Sequence, residues 1–211
     1  MNLSEELNIP LLEDIITDTL HSTYVDDDYY AVMRMDLVEF DSLGATLGDD
    51  DRTTYETLIR HENWLLDRRR YEEWFGLLAR ECMYWVPATS GLPDETAGDP
   101  QTQVSIACDD RRRLADRIVW LRTGVAYSQL PASHTSHSLT GLVRVPTDRA
   151  GEVKVRAQFV VHEVRAGHPM QTMAGWVGYV FTTEDDRVRI ARKIVCLLDA
   201  ARSHHNLTFF L

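Results

Sequence analysis

The sequence predicts an α+β fold, with helices packed on one face of a curved, mainly antiparallel sheet. Three observations carry the prediction. Apolar residues recur at helical spacing as far as Leu121. After Gly124 the period of the pattern changes to two, as in half-buried strands. The period-two segments then follow one another with only short turn signals between them, and helices followed by hairpin-linked strands is the α+β arrangement.

Each element has its own cue. Pro10 at a first helical position precedes Leu11, Leu12, Ile15, Ile16 and Leu20, with Glu13 and Asp14 at the positive helix start. This predicts a short amphipathic helix. Tyr29 to Phe40 repeats the pattern more weakly through Val32, Met33, Leu37 and Phe40. Gly44, Gly48 and the run Asp49-Asp50-Asp51 break it. The domain boundary is placed there, giving an acidic N-terminal extension over 1–51 and one α+β domain over 52–211. Thr53-Thr54-Tyr55-Glu56 has capping-box spacing, and Tyr55, Leu58, Ile59, Leu65 and Leu66 continue a helix. Tyr71, Trp74, Phe75 and Leu78 predict a second helix, and 83–87 a short strand. Residues 88–103 form a Pro/Gly/Thr loop. Asp109 can cap a third helix with Leu114, Ile118 and Leu121 inward and Arg111, Arg112, Arg113 and Arg117 mostly outward. Strands are expected at 137–145, 153–164, 172–182 and 188–198, joined by turns at 148–151, 166–169 and 184–186. The second is the clearest. Val153, Val155, Ala157, Phe159 and Val161 face one way, and Lys154, Arg156, Gln158 and His162 the other.

Charge excludes two classes of partner. Of the 211 residues, the first 51 hold 14 acids and one base, Arg34, whereas the rest hold 19 acids and 21 bases. The net −11 therefore belongs to the extension. A body this close to neutral offers no concentrated basic face for nucleic acid and none for anionic membrane. The longest nearly apolar run, 173–181, is roughly half of a bilayer-spanning helix. Residues 1–9 are acidic and lack a basic start followed by an apolar stretch, so no secretory leader is expected. Cys82, Cys108 and Cys196 are odd in number and widely spaced, which predicts reduced thiols in a cytoplasmic protein rather than a disulfide framework. Lys154 and Lys193 are the only lysines, against 20 arginines.

Catalytic signatures are absent: no phosphate loop, no dinucleotide fingerprint and no nucleophile elbow. No Cys-x-His or Cys-x-x-His pair is present to ligate a Rieske cluster. His134 and His137 are three apart, but they straddle a turn and a strand start, so a hydrogen-bonded pair is the simpler interpretation than a metal site. His204-His205 diverge in an extended segment. His61, beside Glu62 and Trp64, is simplest as a partly exposed helical histidine, with a general base as the sharper alternative. Arg192, between Ile190 and Ile194, falls on an apolar phase and requires a carboxylate partner within the chain or across an interface. Trp85, Trp120 and Tyr127 near arginines fit a protein–protein surface.

Several of these segments together resemble a known family. Tyr71-x-x-Trp74-x-x-Leu77-Leu78 followed by Met83-Tyr84-Trp85-Val86-Pro87 looks like the opening of the β (small) subunit of bacterial aromatic-ring-hydroxylating (Rieske non-haem iron) dioxygenases. Asp109-Asp110-Arg111 through Arg117, Leu121-Arg122-Thr123-Gly124 and on to Ser136-His137 resembles its next block, with His134 where the family often has Arg. Arg189-Ile190-Ala191-Arg192-Lys193, Leu197-Leu198-Asp199 and Asn206 to Leu211 are similar to its closing signature. The resemblance spans about 53–211 and says nothing of the extension.

The resemblance implies a cone-shaped domain similar to nuclear transport factor 2 (NTF2-like) and scytalone dehydratase. It implies a non-catalytic β subunit in an α3β3 hexamer, with β–β contacts, serving cis-dihydroxylation of an aromatic compound with electrons from NAD(P)H. No cofactor is expected in this chain. The Rieske [2Fe-2S] cluster and the mononuclear Fe(II) belong to the α subunit, and no catalytic or metal residue is assigned here. Trp85, Arg117, Arg122, His137, Arg192 and Asn206 join the family blocks to polar or aromatic chemistry and are expected at interfaces. The competing expectation is a stand-alone NTF2-like dehydratase or isomerase with a His-lined cavity, using His61, His137 or tyrosine residues there. A plain interaction module using the acidic extension as a docking arm is a third.

Overall fold

The computed structural model describes residues 26–89, 100–202, 204, 207 and 209–211. The helix expected over 10–20 and most of the 88–103 loop lie outside them. Helix α1 (Asp27–Glu39) is capped by Asp26, whose Oδ1 accepts the Tyr29 amide at 2.9 Å, and Asp27 and Asp28 stabilise its first turn. A two-residue strand β1 (Ala45–Thr46) follows, then one helical turn (Asp49–Asp51) and a π-helical turn (Arg52–Glu56) leading into helix α2 (Thr57–Asp67). Ile59, Glu62, Asn63, Leu65 and Leu66 form the buried face of α2. The helix ends with Arg69 in the left-handed region, φ 55°, where the amides of Arg69 and Arg70 donate to the carbonyls of Leu66 and Leu65.

Helix α3 (Tyr71–Phe75) is a single turn. The helical spacing predicted to run on to Leu78 stops earlier, because Leu78 starts strand β2 (Leu78–Pro87) by pairing with Ile190. Strand β3 (Ser105–Asp110), which the sequence did not reveal, pairs antiparallel with β2. Helix α4 (Arg111–Arg122) is capped by Asp110, not Asp109, through Oδ1 to the Arg113 amide at 2.9 Å. Four long strands complete the chain at the expected places: β4 (His134–Val145), β5 (Val153–Val164), β6 (Gln171–Glu184) and β7 (Arg187–Leu197).

These form one seven-stranded sheet in the order β1-β4-β5-β6-β7-β2-β3. Its neighbours are antiparallel except β2 and β7, which run parallel. The sheet buries both faces. On the inner face Val155, Ala157, Phe159, Val161, Val177, Tyr179 and Phe181 pack against α2, α3 and α4. On the outer face Met83, Trp85, Trp176, Val180 and Ile194 pack under Met33, Leu37 and Phe40 of the α1 segment. Gly178 makes this possible, since a Cβ there would sit 2.5 Å from the Phe40 ring.

Helix α1, which the sequence places in the acidic extension, is thus part of the folded unit. The polar phase of β5 is correspondingly covered: Lys154 is fully buried. The C-terminus closes the inner core. The Phe210 ring lies 4.4 Å from Trp74, 5.6 Å from Tyr71 and 6.1 Å from Tyr84 between centroids, and the Leu211 amide donates to the Tyr84 hydroxyl at 2.9 Å.

Candidate functional site

Two buried polar groups stand inside the sheet-and-helix shell. The first is built by α2 and β4. Asp67, the last residue of α2, faces β4, where His137 Nδ1 lies 2.6 Å from its Oδ1 and the His137 amide donates to its Oδ2 at 3.1 Å. The Thr135 hydroxyl adds a donor at 2.9 Å, and His137 Nε2 lies 3.2 Å from the Phe210 carbonyl. Burial alone would raise the Asp67 carboxyl, but the hydrogen bonds from His137 and Thr135 outweigh it and hold it below the usual carboxylate range.

The second group joins α2, α3 and β7. Glu62 Oε1 accepts from Trp74 Nε1 at 3.0 Å and from Lys193 Nζ at 3.0 Å. Burial pulls the Lys193 amine below the ordinary lysine range against the opposing pull of Glu62. Burial, and then the Glu62 charge, push the Tyr179 hydroxyl well up. His137, Lys193, Tyr179, Asn63 and Leu211 all line one cavity, but it measures only about 10 Å³. Acid and base groups converge there with room for about one water and none for a substrate.

The outer face carries a third cluster. Asp36, fully buried, meets Arg149 Nη1, Lys154 Nζ and Arg192 Nε, each at 2.5 Å, and Arg192 also reaches Glu152 at 2.6 Å. Glu39 pairs with Lys154 and with Arg149. Burial opposes the Arg192 charge, and the two carboxylates outweigh it, raising its pKa further.

Against this geometry the expected interface residues separate. Trp85 is fully buried under α1, with Nε1 donating to Ser105 Oγ at 2.9 Å, and presents no surface. Arg192 finds its carboxylates within the chain, and His137 is turned inward. Arg117 pairs with Asp109 at 2.6 Å and lies 4.2 Å over the Phe210 ring. Arg122 makes a two-pronged contact with Glu72 at 2.7 and 2.6 Å and remains partly exposed. Asn206 lies outside the described residues.

His61 is exposed on α2 near Trp64, so it shares no cavity with His137. His134 and His137, an odd number of residues apart on β4, point to opposite faces. Among the described residues no three His, Cys, Asp or Glu side chains stand together as a metal would need. The donors among the described residues therefore do not fit a Rieske cluster or a mononuclear iron. Sequence inspection missed Glu62, Asp67 and Lys193. The available cue was the scarcity of lysine: both lysines are buried, one on each face of the sheet. No helix among the described residues is long and apolar enough to cross a membrane.

Comparison with known proteins adds the family. The ring hydroxylating beta subunit family model matches residues 61–202. The small oxygenase component of the p-cumate 2,3-dioxygenase system of Pseudomonas putida is 30% identical over 161 residues, 76% of this chain and 87% of that one. The β subunit of biphenyl 2,3-dioxygenase from Rhodococcus jostii (strain RHA1) is 27% identical, covering 69% and 81%. Among solved structures, the β subunit of benzoate 1,2-dioxygenase from Burkholderia mallei superposes with a TM-score of 0.58 at 19% identity, over 78% of this chain and 99% of that one. Naphthalene 1,2-dioxygenase with indole bound gives 0.61 at 14% identity, over 100% of both chains. At these identities the two structures establish the fold alone.

Proposed function

This chain belongs to the ring hydroxylating β-subunit family, and on that premise we propose that it is the non-catalytic subunit of an aromatic-ring dioxygenase. It assembles with an iron-bearing α subunit as α3β3. The holoenzyme adds both atoms of dioxygen to an arene in the cytoplasm, with NAD(P)H as electron source. Relatives named for p-cumate, benzene and biphenyl dioxygenases support an aromatic substrate.

The observation that carries the accessory role is the closed interior. Its acid–base groups surround only about 10 Å³, with Leu211 and Phe159 in the wall. The same observation disfavours a stand-alone dehydratase or isomerase, which requires a substrate-sized pocket between acid and base. Of the interface candidates, Arg117 and Arg122 retain exposed surface and are proposed to face neighbouring subunits. Trp85, His137 and Arg192 serve assembly indirectly, by fixing the fold.

Co-expression with a large subunit bearing Cys-x-His and Cys-x-x-His motifs tests this. The expected result is a stable complex that oxidises arenes, and a separately purified β chain that does not. Arene turnover or stoichiometric iron in the isolated chain would overturn it.

A further inference from the structure

A second cavity, of about 340 Å³, is bordered by Phe209 and Phe210 and by the ends of α2 and α4. That volume falls within the range of small-molecule sites, about 300–1,000 Å³. Leu121 and Leu130 wall it, the buried Leu66, Tyr71 and Phe210 border it, and Arg68, Arg69 and Arg122 contribute cations. No Asp or Glu lines it. Arg122 is committed to Glu72, whereas Arg68 and Arg69 have no carboxylate partner among the described residues. The charges of Arg69 and Arg122 both act on the Tyr71 hydroxyl, which places positive potential beside that ring.

The backbone gives a second line of support. Arg69 occupies a left-handed position, φ 55°, where a helix end favours glycine. Basic residues suit a helix C-terminus through its dipole. That accounts for charge at this helix end, but not for a large side chain at its most strained position beside an acid-free cavity.

We infer that this cavity binds a small aromatic monocarboxylate. The ring lies between Leu121 and Leu130, bordered by the buried Tyr71 and Phe210, and the carboxylate engages the guanidinium groups of Arg68 and Arg69, whose planar forks match it. Arg122, already neutralised, shapes the wall. The site stands on this chain's own residues and does not rest on the subunit role proposed above.

Isothermal titration of the full-length chain with benzoate, benzyl alcohol and acetate tests it. Benzoate is expected to bind saturably at one site, and the alcohol and acetate at least about tenfold more weakly, since each lacks one half of the recognition. The double variant Arg68→Gln/Arg69→Gln should weaken benzoate by about tenfold or more while leaving the thermal midpoint in place, because both side chains are exposed. Arg69→Gly alone should raise the midpoint by relieving the backbone while weakening benzoate. Absence of saturable benzoate binding, equal binding of acetate, or unchanged affinity in the double variant would overturn the inference. So would loss of benzoate binding on assembly with the large subunit, which would make the cavity a surface sealed by the partner.

Discussion

Asp67 takes the His137 ring, the His137 amide and the Thr135 hydroxyl at once. Its pKa is lowered in the folded chain, as is that of Glu72, where burial is outweighed by the hydrogen bonds from Arg122. Between the folded values and the unfolded value of about 4, the unfolded chain binds more protons, so stability rises with pH there. Their contribution is complete above the unfolded value and is lost as pH falls through the folded ones. Asp67→Asn should cost about 1–3 kcal/mol at neutral pH, measured by urea unfolding, and flatten the acid side of the stability profile. An unchanged acid slope in the variant would refute this account. None of this was legible from residue types. His137 could be singled out by its family block, but Asp67 lies 70 positions away and only the fold joins them. Lys193 and Glu62 were hidden for the same reason.

At the scale of elements, legibility followed periodicity. The four long strands declared themselves because alternation survives in each. Strand β3 did not, because Ser-Ile-Ala-Cys-Asp-Asp lacks alternation and all six positions are half-buried. Helix α1 was visible as a helix and misjudged in its place, since its acids look like a solvated face until the cations of β5 and β7 are set opposite. Asp36 is the pin. Asp36→Asn leaves Arg149, Lys154 and Arg192 facing one another with Glu39 and Glu152 as their remaining partners, and should cost about 3–5 kcal/mol in chemical denaturation. A loss under about 1 kcal/mol would mean that water reaches the cluster and screens it. The C-terminal segment is a second pin. Phe210→Ala removes a ring caged by Trp74, Tyr71, Tyr84 and Arg117, and should cost about 3 kcal/mol. The same variant enlarges the closed interior, so it should be judged by stability and not by arene binding.

For the whole molecule, the excess negative charge and the fold overlap in a way composition could not disclose. The first 51 residues hold more than the whole of the imbalance, yet Asp36 and Glu39 are spent on sheet cations, and Met33, Leu37 and Phe40 cover the outer core. Two deletions separate an acidic arm from a structural layer. Removing residues 1–25 leaves α1, its Asp26 cap and the ion pairs of Asp36 and Glu39 in place, so the chain should remain folded. Removing residues 1–51 strips Asp36 and Glu39 from the buried Lys154 and Arg192 and the half-buried Arg149, and uncovers Met83, Trp85, Trp176 and Ile194 together. An exposed apolar face of that kind drives aggregation, and the unpaired charges destabilise what stays soluble. The longer deletion should therefore be recovered mainly as insoluble protein, and co-expression with the large subunit should not rescue it, because the loss lies inside the subunit. A soluble, cooperatively folding 52–211 fragment that still assembles would show instead that α1 is an accessory layer and that the sheet's outer face can stand alone.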